Sequence, residues 1–209
     1  KIVVLSRPMK KYIDSSYQGI SSKTVVISSW ADPNYIYPRS KSDNKFIKKY
    51  LLFDKFLVLY SGNQGRCHDL LTVMKSARKL NFEKDIVFVF IGSGVQNIKI
   101  KEFASKYNLT NCLFLPYQDY EDLPYSLSSA DIALVTLSQR AANLVAPSKL
   151  YGHLAAATAV GVVAPQSSYL SELIEENMIG KSFVNGDSSG LADWILTLKN
   201  NKNNLVFTL

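Results

Sequence analysis

Short apolar runs alternate along this chain with helix-length amphipathic stretches, and this alternation limits the fold more than any other feature. The clearest pair is KFLVLYSG at 55–62 followed by DLLTVMKSARKL at 69–80, which keeps its apolar residues at helical spacing. Similar pairs follow at 85–94 with 98–109, 111–117 with 120–130, 131–138 with 148–158, and 159–165 with 168–180. Such alternation favours βαβ units and a parallel sheet. We therefore predict an α/β fold with a Rossmann-like doubly wound parallel sheet of five or six strands across 55–200.

The first forty residues carry a separate, shorter pattern. KIVVLS at 1–6 and KTVVISSW at 23–30 predict two strands around a helix at 8–18, which Gly19 ends. The following ADPNYIYPRSKSD is rich in Pro, Asn and Ser, which is typical of a boundary or hinge. The chain starts with Lys1, without a signal-like segment, and ends in the apolar run NNLVFTL. We therefore expect it to be a piece of a larger protein.

Composition narrows the class of protein. Every apolar run is far shorter than the roughly 20 residues needed to cross a bilayer. The two cysteines, Cys67 and Cys112, have no Cys or His partners at the spacing of a metal site or disulfide framework. We therefore predict no metal site and a reducing, cytoplasmic setting.

The net charge of +7 arises in residues 1–50, which hold ten Lys and Arg against three Asp. This excess indicates either a solvated or partner-facing surface or a contact with anionic lipid or phosphate. Because the basic residues are not interleaved with aromatic residues on one element, nucleic acid is not an expected partner.

Ligands of doubly wound sheets bind outside the carboxyl ends of the strands, and this rule selects four places: three loops and the segment PSKLYG. SGNQGRCHD brings Gly62 and Gly65 after the strand at 55–60, where a backbone can approach a ligand and Arg66 can meet phosphate. IGSGVQN supplies Gly92 and Gly94, and LPYQDYEDL supplies Tyr117 and Gln118. Neither glycine stretch matches the dinucleotide or P-loop fingerprint, so ordinary tight turns remain an alternative for each.

The segment PSKLYG at 147–152 begins a helix and has two interpretations. In the first, Ser148 is a helix N-cap and Lys149 is simply exposed. In the second, a diphosphate is held by helix amides, Ser148 and Lys149. A lysine in the first turn opposes the helix dipole, whereas a bound anion would be stabilised by both.

The remaining candidate side chains are few. His68 and His153 are the only histidines, and we expect His153 to be packed rather than catalytic. Cys67 beside His68 has no third orienting group, so no nucleophile is predicted. Among Glu172, Glu175 and Glu176, which otherwise form the exposed side of a helix, Glu172 alone is a candidate ligand for a substrate hydroxyl.

Several motifs together, in their order along the chain, suggest a family. The segments YSGNQGRCHDLLTVMKSA, FVFIGSG, NCLFLPYQDYEDLPYSLSSADIALVTL, PSKLYGHLAA and SELIEENMIGKSFVNGD occur in the order seen in the C-terminal half of GT-B glycosyltransferases of family 4. The chain most resembles the bacterial branch that builds cell-surface polysaccharides and carries P-S-K-x-Y-G. VVLSRPMKKYI and VVISSWAD look like the last elements before the interdomain crossover. The resemblance implies that 1–40 end an N-terminal lobe and its crossover, and that 41–209 form the C-terminal, Rossmann-like donor-binding domain.

The resemblance also implies an activity: transfer of a sugar from a nucleotide-diphosphate-sugar to an acceptor in bacterial cell-surface polysaccharide or glycolipid biosynthesis. The C-terminal lobe would bind the donor, with a UDP-sugar favoured, and the absent N-terminal lobe would bind the acceptor. No metal or other cofactor is expected, because basic side chains and helix amides would neutralise the leaving diphosphate. This fragment alone should bind donor without turnover. The expected location is the cytoplasm, with peripheral contact at the inner face of the cell membrane.

The resemblance implies site roles only for the residues of this sequence that match the family's motifs. Arg66 and Lys149 would stabilise the departing diphosphate in the catalytic step. Gly62, Asn63 and Gly65 would face the phosphates and the reacting sugar, and Tyr117 and Gln118 would lie by the nucleobase. The motif residues Pro147, Ser148 and Gly152 would line the diphosphate and ribose, with Gly92 and Gly94 at the neighbouring strand end.

Two departures from the family pattern keep other functions open. The family's two glutamates, seven residues apart, would fall at Leu144 and Gly152, so that motif is absent. Ala157, Thr158 and Ala159 replace the usual Gly, basic residue and Pro. The alternatives are a non-catalytic nucleotide-sugar-binding module and a GT-B type nucleotide-sugar epimerase.

Overall fold

The computed structural model describes residues 1–142 and 144–201, and its centre is a parallel sheet of six strands in the order β5-β4-β3-β6-β7-β8. The apolar run NNLVFTL lies outside the described residues. The elements in chain order are β1 (Ile2–Val4), α1 (Arg7–Ser16), β2 (Thr24–Val26), α2 (Lys45–Tyr50), β3 (Phe56–Ser61), α3 (Leu70–Lys79), β4 (Ile86–Ile91), α4 (Asn97–Lys106), β5 (Cys112–Leu115), α5 (Leu123–Leu127), β6 (Ile132–Thr136), α6 (Lys149–Ala155), β7 (Ala159–Val163), α7 (Tyr169–Asn177), β8 (Gly180–Phe183) and α8 (Ser188–Asn200).

Strand β3 lies at the centre of the sheet because its side chains are apolar and buried on both faces. It pairs in parallel with β4 on one side, with Leu57 opposite Val87, and with β6 on the other, with Val58 opposite Ile132. From β3 the chain builds outward through β4 and β5, then returns to β6 and builds the other way. The predicted doubly wound α/β fold is confirmed, and its strand order reverses between β3 and β6.

Helices cover both faces of the sheet. Side chains that alternate along β3 pack into two different cores: Val58 lies with α3, α4 and α8, whereas Leu57 lies with α2 and α5. Helices α6 and α7 bury Leu150 and Ile174 against β6 and β7 in a third core. None of the helices described is both long enough and apolar enough to span a bilayer.

Strands β1 and β2 form a separate two-stranded parallel sheet, with Ile2 opposite Thr24, and α1 connects them. The prediction of a strand over 23–30 was too long, because pairing ends at Val26 and β1 offers only three residues. Gly19 follows α1 with a φ of 75°, in the left-handed region that glycine favours. The division of the chain into 1–40 and 41–209 stays a prediction.

The end of the predicted helix at 168–180 differs from expectation. Helix α7 stops at Asn177, Met178 adopts a left-handed conformation, and Gly180 begins the edge strand β8. A Cβ at Gly180 would lie 1.9 Å from the carbonyl oxygen of Val160, so this close strand approach requires glycine. The sequence of β8, GKSF, has too few apolar residues to predict a strand.

Candidate functional site

A cavity of about 680 Å³ opens at the carboxyl ends of β3 and β6, where the strand order reverses. Its walls come from the loops after β3, β5 and β6 and from the segment before α2. Seven of the residues predicted for the site line it: Gly62, Asn63, Tyr117, Pro147, Ser148, Lys149 and Gly152. The other lining residues are Trp30, Ala31, Asp32, Tyr35, Ile36, Ser61, His68, Tyr120, Leu123, Leu127, Val145 and Ala146.

Lys149 begins α6 and points back over the end of β3. Its Nζ donates a hydrogen bond of 2.9 Å to Oη of Tyr60 and lies 4.0 Å from the centroid of that ring. Oη of Tyr60 donates in turn to the carbonyl oxygen of Asn63, at 2.7 Å. Burial lowers the pKa of Lys149 to about 7. This lysine is therefore a partly buried amine that is fully charged only below about pH 7, and Tyr60 compensates that charge in part.

The simpler interpretation of PSKLYG is right about the position of Ser148 and wrong about the exposure of Lys149. Ser148 occupies the N-cap position of α6, but its side chain makes no capping hydrogen bond with any described residue. Lys149 is not exposed, because it packs on Tyr60. The hydroxyl of Ser148 is exposed where it lines the cavity.

Two glycines let the loops after β3 and β4 approach each other and the lysine. Gly62 has a φ of 122°, and a Cβ there would lie 3.3 Å from Nζ of Lys149. Gly92 has a φ of 115°, and its Cβ would lie 2.3 Å from the carbonyl oxygen of Gly62 and 3.1 Å from the ring of Tyr117. Gly62 therefore makes room for the ammonium group, while Gly92 supports the cavity wall from behind.

His68 lines the same cavity as a neutral imidazole. Its Nδ1 lies 2.7 Å from the carbonyl oxygen of Thr136, and because a carbonyl only accepts, Nδ1 carries the proton. Burial, followed by the positive charge of Lys149, lowers its pKa. No role was predicted for His68, because nothing in the sequence pattern indicates that it lies beside Lys149.

One side of the cavity is aromatic. Tyr35 stacks on Tyr120 with ring centroids 4.6 Å apart and planes 11° from parallel, and its hydroxyl donates to the backbone carbonyl of Tyr120. Tyr117 and Trp30 extend this surface and are largely solvent-exposed, Trp30 at 78%. Residues 31–43 were predicted only as a boundary or hinge, so Tyr35 was not expected in this wall. The sequence did contain a signal: Tyr35 and Tyr37 are aromatic residues within the polar segment 31–43, and Tyr35 is the one that lines the cavity.

The other predicted residues lie outside this cavity. Arg66 is exposed on the loop after β3 and does not share the hollow with Lys149, contrary to expectation. Gln118 is engaged, since its amide donates to the carbonyl of Pro116 and its Oε1 accepts from Tyr50. Gly65 and Gly94 belong to the packing of the loops, and a Cβ on Gly94 would lie 2.6 Å from the backbone of Gln64. Glu172 lines a different cavity, beside α1.

The charged groups in the lining are few. Lys149 is its basic residue and Asp32 its acidic one, and Asp32 already accepts a hydrogen bond from the backbone N–H of Asn34. The electropositive surface that the sequence predicted is therefore reduced to one buried lysine. Across the described part of the chain, no three His, Cys, Asp or Glu side chains come together as a metal site requires.

His153 lies one helical turn after Lys149 and is fully buried, as predicted for a packed histidine. Neither ring nitrogen has a hydrogen-bond partner among the described residues. Burial lowers its pKa to about 3, and the charge of Lys149 contributes further. The ring is therefore neutral and adds no charge behind the lysine.

Comparison with known proteins assigns this architecture to a family. The chain is 27% identical over 192 residues to the probable glycosyltransferase WbjE of Pseudomonas aeruginosa, covering 92% of this chain and 48% of that protein. It is 33% identical over 161 residues to the putative colanic acid biosynthesis glycosyl transferase WcaI of Escherichia coli K12, covering 76% and 39%. The chain thus spans about half the length, or less, of the curated relatives it matches.

Solved structures agree at the level of the fold. The crystal structure of Anabaena Alr3699/HepE in complex with UDP-glucose superposes with a TM-score of 0.79 at 18% identity, over 96% of this chain and 54% of that one. The six-stranded parallel sheet matches GT-B glycosyltransferase structures. The family model for glycosyl transferases group 1 matches residues 42–206. The chain therefore belongs to the group 1 glycosyl transferases.

Proposed function

We propose that the cavity at the switch point binds a nucleotide-diphosphate-sugar and that this chain is the donor-binding part of a glycosyltransferase of the GT-B family 4 type. The observation that carries the proposal is the buried ammonium of Lys149, held by Tyr60 above Gly62 and facing a cavity with an aromatic wall. A partly buried ammonium group that has no acidic partner among the described residues suits an anionic ligand. The complex of HepE with UDP-glucose, in a protein of the same fold, supports a UDP-sugar as the donor.

The cavity is lined by two kinds of group, and these suit the two parts of such a donor. Tyr117 and Tyr120 present aromatic surface on which a nucleobase can stack. Lys149 and Ser148 lie at the start of α6, where the diphosphate would be held. The ribose would lie between the base and the diphosphate, beside Gly152, which also lines the cavity.

The positive charge of Lys149 would assist the step in which the bond between the sugar and the diphosphate breaks. Cleaving the bond between the anomeric carbon and the phosphate oxygen leaves positive charge on the sugar and adds negative charge to the diphosphate. A cation already positioned beside that diphosphate stabilises the transition state more than the ground state. Arg66 has no part in this proposal, because it lies outside the cavity. The donor is proposed to be used without a metal or other cofactor.

The rest of the reaction belongs to the whole protein. We propose that a second lobe binds the acceptor, that the product is a bacterial cell-surface polysaccharide or glycolipid, and that the protein works in the cytoplasm at the inner face of the membrane. The names of the two relatives support this assignment, one of them in colanic acid biosynthesis. The basic first fifty residues fit contact with an anionic membrane surface.

Calorimetric titration of the full-length protein with UDP, GDP and ADP tests the donor site. We expect UDP to bind most tightly and the Lys149→Met variant to lose most of that affinity. Failure of all three nucleotides to bind would refute the donor site.

A second assay incubates the protein with UDP-glucose alone, and conversion of the sugar without an acceptor would identify an epimerase. Donor binding without transfer to any acceptor would identify a non-catalytic module.

A further inference from the structure

A second cavity lies between α1 and the N-terminal end of α7, and the donor site does not include it. Its volume is about 680 Å³, and a smaller one of about 330 Å³ adjoins it and shares Arg7, Pro8 and Glu172. The larger cavity is lined by Arg7, Pro8, Lys11, Tyr12, Ser15, Ser167 and Glu172.

The charge of this cavity is concentrated on one face of α1. Arg7, Lys11 and Ser15 follow one another at intervals of four residues, which places their side chains along one side of the helix. Neither Arg7 nor Lys11 has an ion pair or hydrogen bond with any residue that the structure describes. By contrast, Lys10 of the same helix is paired with Asp14 at 2.7 Å. Two uncompensated cations therefore face the cavity.

Local helix stability does not explain Arg7. It is the first residue of α1, where the helix dipole disfavours a positive charge. Pro8 and the capping side chain of Ser6 already define this helix start. Because the position of Arg7 weakens the helix slightly, a role in binding an anion accounts for it better than a role in folding.

The opposite wall carries groups that suit hydroxyls. Glu172 and Ser167 come from α7 and the loop before it. Glu172 forms no ion pair with Arg7, within the part of the chain that the structure describes, and its carboxylate can accept hydrogen bonds from hydroxyl groups. Tyr12, 49% exposed, adds an aromatic face. A ligand that satisfies both walls has a phosphate at one end and a hydroxylated ring at the other.

The two cavities open at the same edge of the sheet. The donor cavity is lined by the loop after β6, and the second cavity by the loop after β7, which is the neighbouring parallel strand with Thr136 opposite Val163. Neighbouring strands lie about 4.8 Å apart. The helices that follow these strands also touch, since the hydroxyls of Tyr151 and Tyr169 are 3.0 Å apart.

We propose that this second cavity holds the phosphate-bearing sugar of the acceptor, with Arg7 and Lys11 on the phosphate and Glu172 on a sugar hydroxyl. One wall of the cavity is α1, in the segment predicted to end the N-terminal lobe, and the second lobe would bind the rest of the acceptor. The inference rests on the proposed function, because only a donor in the first cavity makes a neighbouring sugar an acceptor. The shared chemistry is a glycosyl phosphate, whether it is soluble or carried by a lipid.

The test measures binding to the full-length protein by calorimetry, with UDP kept at saturation so that the donor cavity is occupied. The probes are glucose 1-phosphate, glucose, inorganic phosphate, and a glucosyl diphosphate esterified to a ten-carbon alcohol in nonionic micelles. We expect the two glycosyl phosphates to bind at least about 10-fold more tightly than glucose or inorganic phosphate. Tighter binding of the micellar probe identifies a lipid-carried acceptor, and equal binding identifies a soluble one.

The double variant Arg7→Ser/Lys11→Ser should weaken glycosyl phosphate binding by about 30-fold and leave UDP affinity within about twofold. The control Lys75→Ser/Lys79→Ser removes two exposed charges of α3, outside the basic first fifty residues, and should change neither affinity. Lys149→Met should show the reverse pattern, with UDP affinity lost and the second cavity intact.

The possible failures are distinguishable. If UDP binds but no glycosyl phosphate does, or if the double variant binds it as the wild type does, the second site is refuted while the donor site stands. If UDP does not bind and glucose 1-phosphate still binds through Arg7 and Lys11, the cavity remains a sugar-phosphate site and its acceptor role is refuted together with the proposed function.

Discussion

Nζ of Lys149 lies 2.9 Å from Oη of Tyr60 and 4.0 Å from the centre of the same ring. One aromatic side chain therefore supplies both the hydrogen bond and the π-face that this ammonium receives from the protein. Tyr60 is itself fixed within the central strand β3 and hydrogen-bonded to the loop that follows. The cation is positioned before any ligand arrives, and much of its desolvation has already occurred.

Replacement of Lys149 should abolish most donor binding. Lys149→Met keeps the apolar stem and removes the charge, so a charge-assisted hydrogen bond to the diphosphate is lost. We expect UDP-glucose affinity to fall roughly 10- to 100-fold, in line with about 1.5–3 kcal/mol for such a bond. Calorimetry on the full-length protein measures this. The control Lys75→Met, at an exposed position of α3, should bind as the wild type does; equal affinity in both variants would remove Lys149 from the site.

Donor affinity should weaken as the pH rises above 7. The pKa of Lys149 is lowered to about 7 in the empty protein, and the diphosphate, by its negative charge, must raise it. Affinity is therefore constant below pH 7 and falls by up to about tenfold per pH unit above it, until the pKa of the complex is reached. UDP-glucose is the appropriate probe because its diphosphate diester does not titrate in this range.

Calorimetry in buffers of different ionisation enthalpy should detect uptake of a fraction of a proton near pH 7.5. This uptake should be absent in Lys149→Met. Binding of UDP-glucose without proton uptake by the wild type would show that the lysine is already charged or lies away from the phosphates.

The empty protein should become more stable when Lys149 is replaced. In the unfolded chain a lysine keeps a pKa of about 10.4, whereas in the folded protein it is lowered to about 7. Between these values the unfolded state binds the extra proton, so this group makes stability rise with pH by up to about 1.4 kcal/mol per unit. Lys149→Met should raise the melting temperature at pH 7. The difference in melting temperature between the variant and the wild type should become smaller toward pH 10. If the melting temperatures of the variant and the wild type changed with pH in the same way, the lowered pKa of Lys149 would be contradicted.

The fold could be predicted from the sequence because its signal is local and repeated. Runs such as those of β3 and β4 are apolar on both faces, and each is followed by a helical pattern. Strand ends then placed Gly62 and Tyr117 at one edge of the sheet without any knowledge of side-chain packing.

The features of the site that were not predicted depend on contacts between residues far apart in the sequence, and hydrophobic periodicity carries no information about such contacts. The stack of Tyr35 on Tyr120 joins a segment without regular structure to a loop 85 positions further along the chain. Arg66 is exposed and does not line the cavity that Lys149 lines, and the conformation of a single loop decides this. Glu172 was predicted as a ligand for a substrate hydroxyl, but it lines a different cavity, beside α1.

Arg66 should contribute little to donor binding. It is exposed and does not line the cavity, so Arg66→Ala removes no contact with a ligand there. We expect UDP-glucose affinity within about threefold of the wild type, compared with the much larger loss for Lys149→Met. Calorimetry at low and at physiological salt checks this. A loss as large as that of Lys149→Met would mean that the loop after β3 moves Arg66 into the cavity when the donor binds.

Gly92→Ala should damage both stability and the donor site, and a matched glycine separates the causes. Gly92 and Gly186 have φ values of 115° and 93°, so alanine is strained at both. Only at Gly92 would the new Cβ meet neighbours: the carbonyl oxygen of Gly62 at 2.3 Å and the ring of Tyr117 at 3.1 Å, whereas Gly186 has open space. We expect Gly186→Ala to lower the free energy of unfolding by about 1 kcal/mol and Gly92→Ala by roughly 2–4 kcal/mol.

Because the displaced atoms belong to the loop beneath Lys149, Gly92→Ala should also weaken UDP-glucose binding in the fraction that remains folded. Gly186→Ala should not. Denaturant unfolding and calorimetry on both variants test the two effects separately. Equal losses of stability in the two variants would show that the loops after β3 and β4 move apart at little energetic cost. The close approach of Gly62 to Lys149 would then not be a fixed feature of the site.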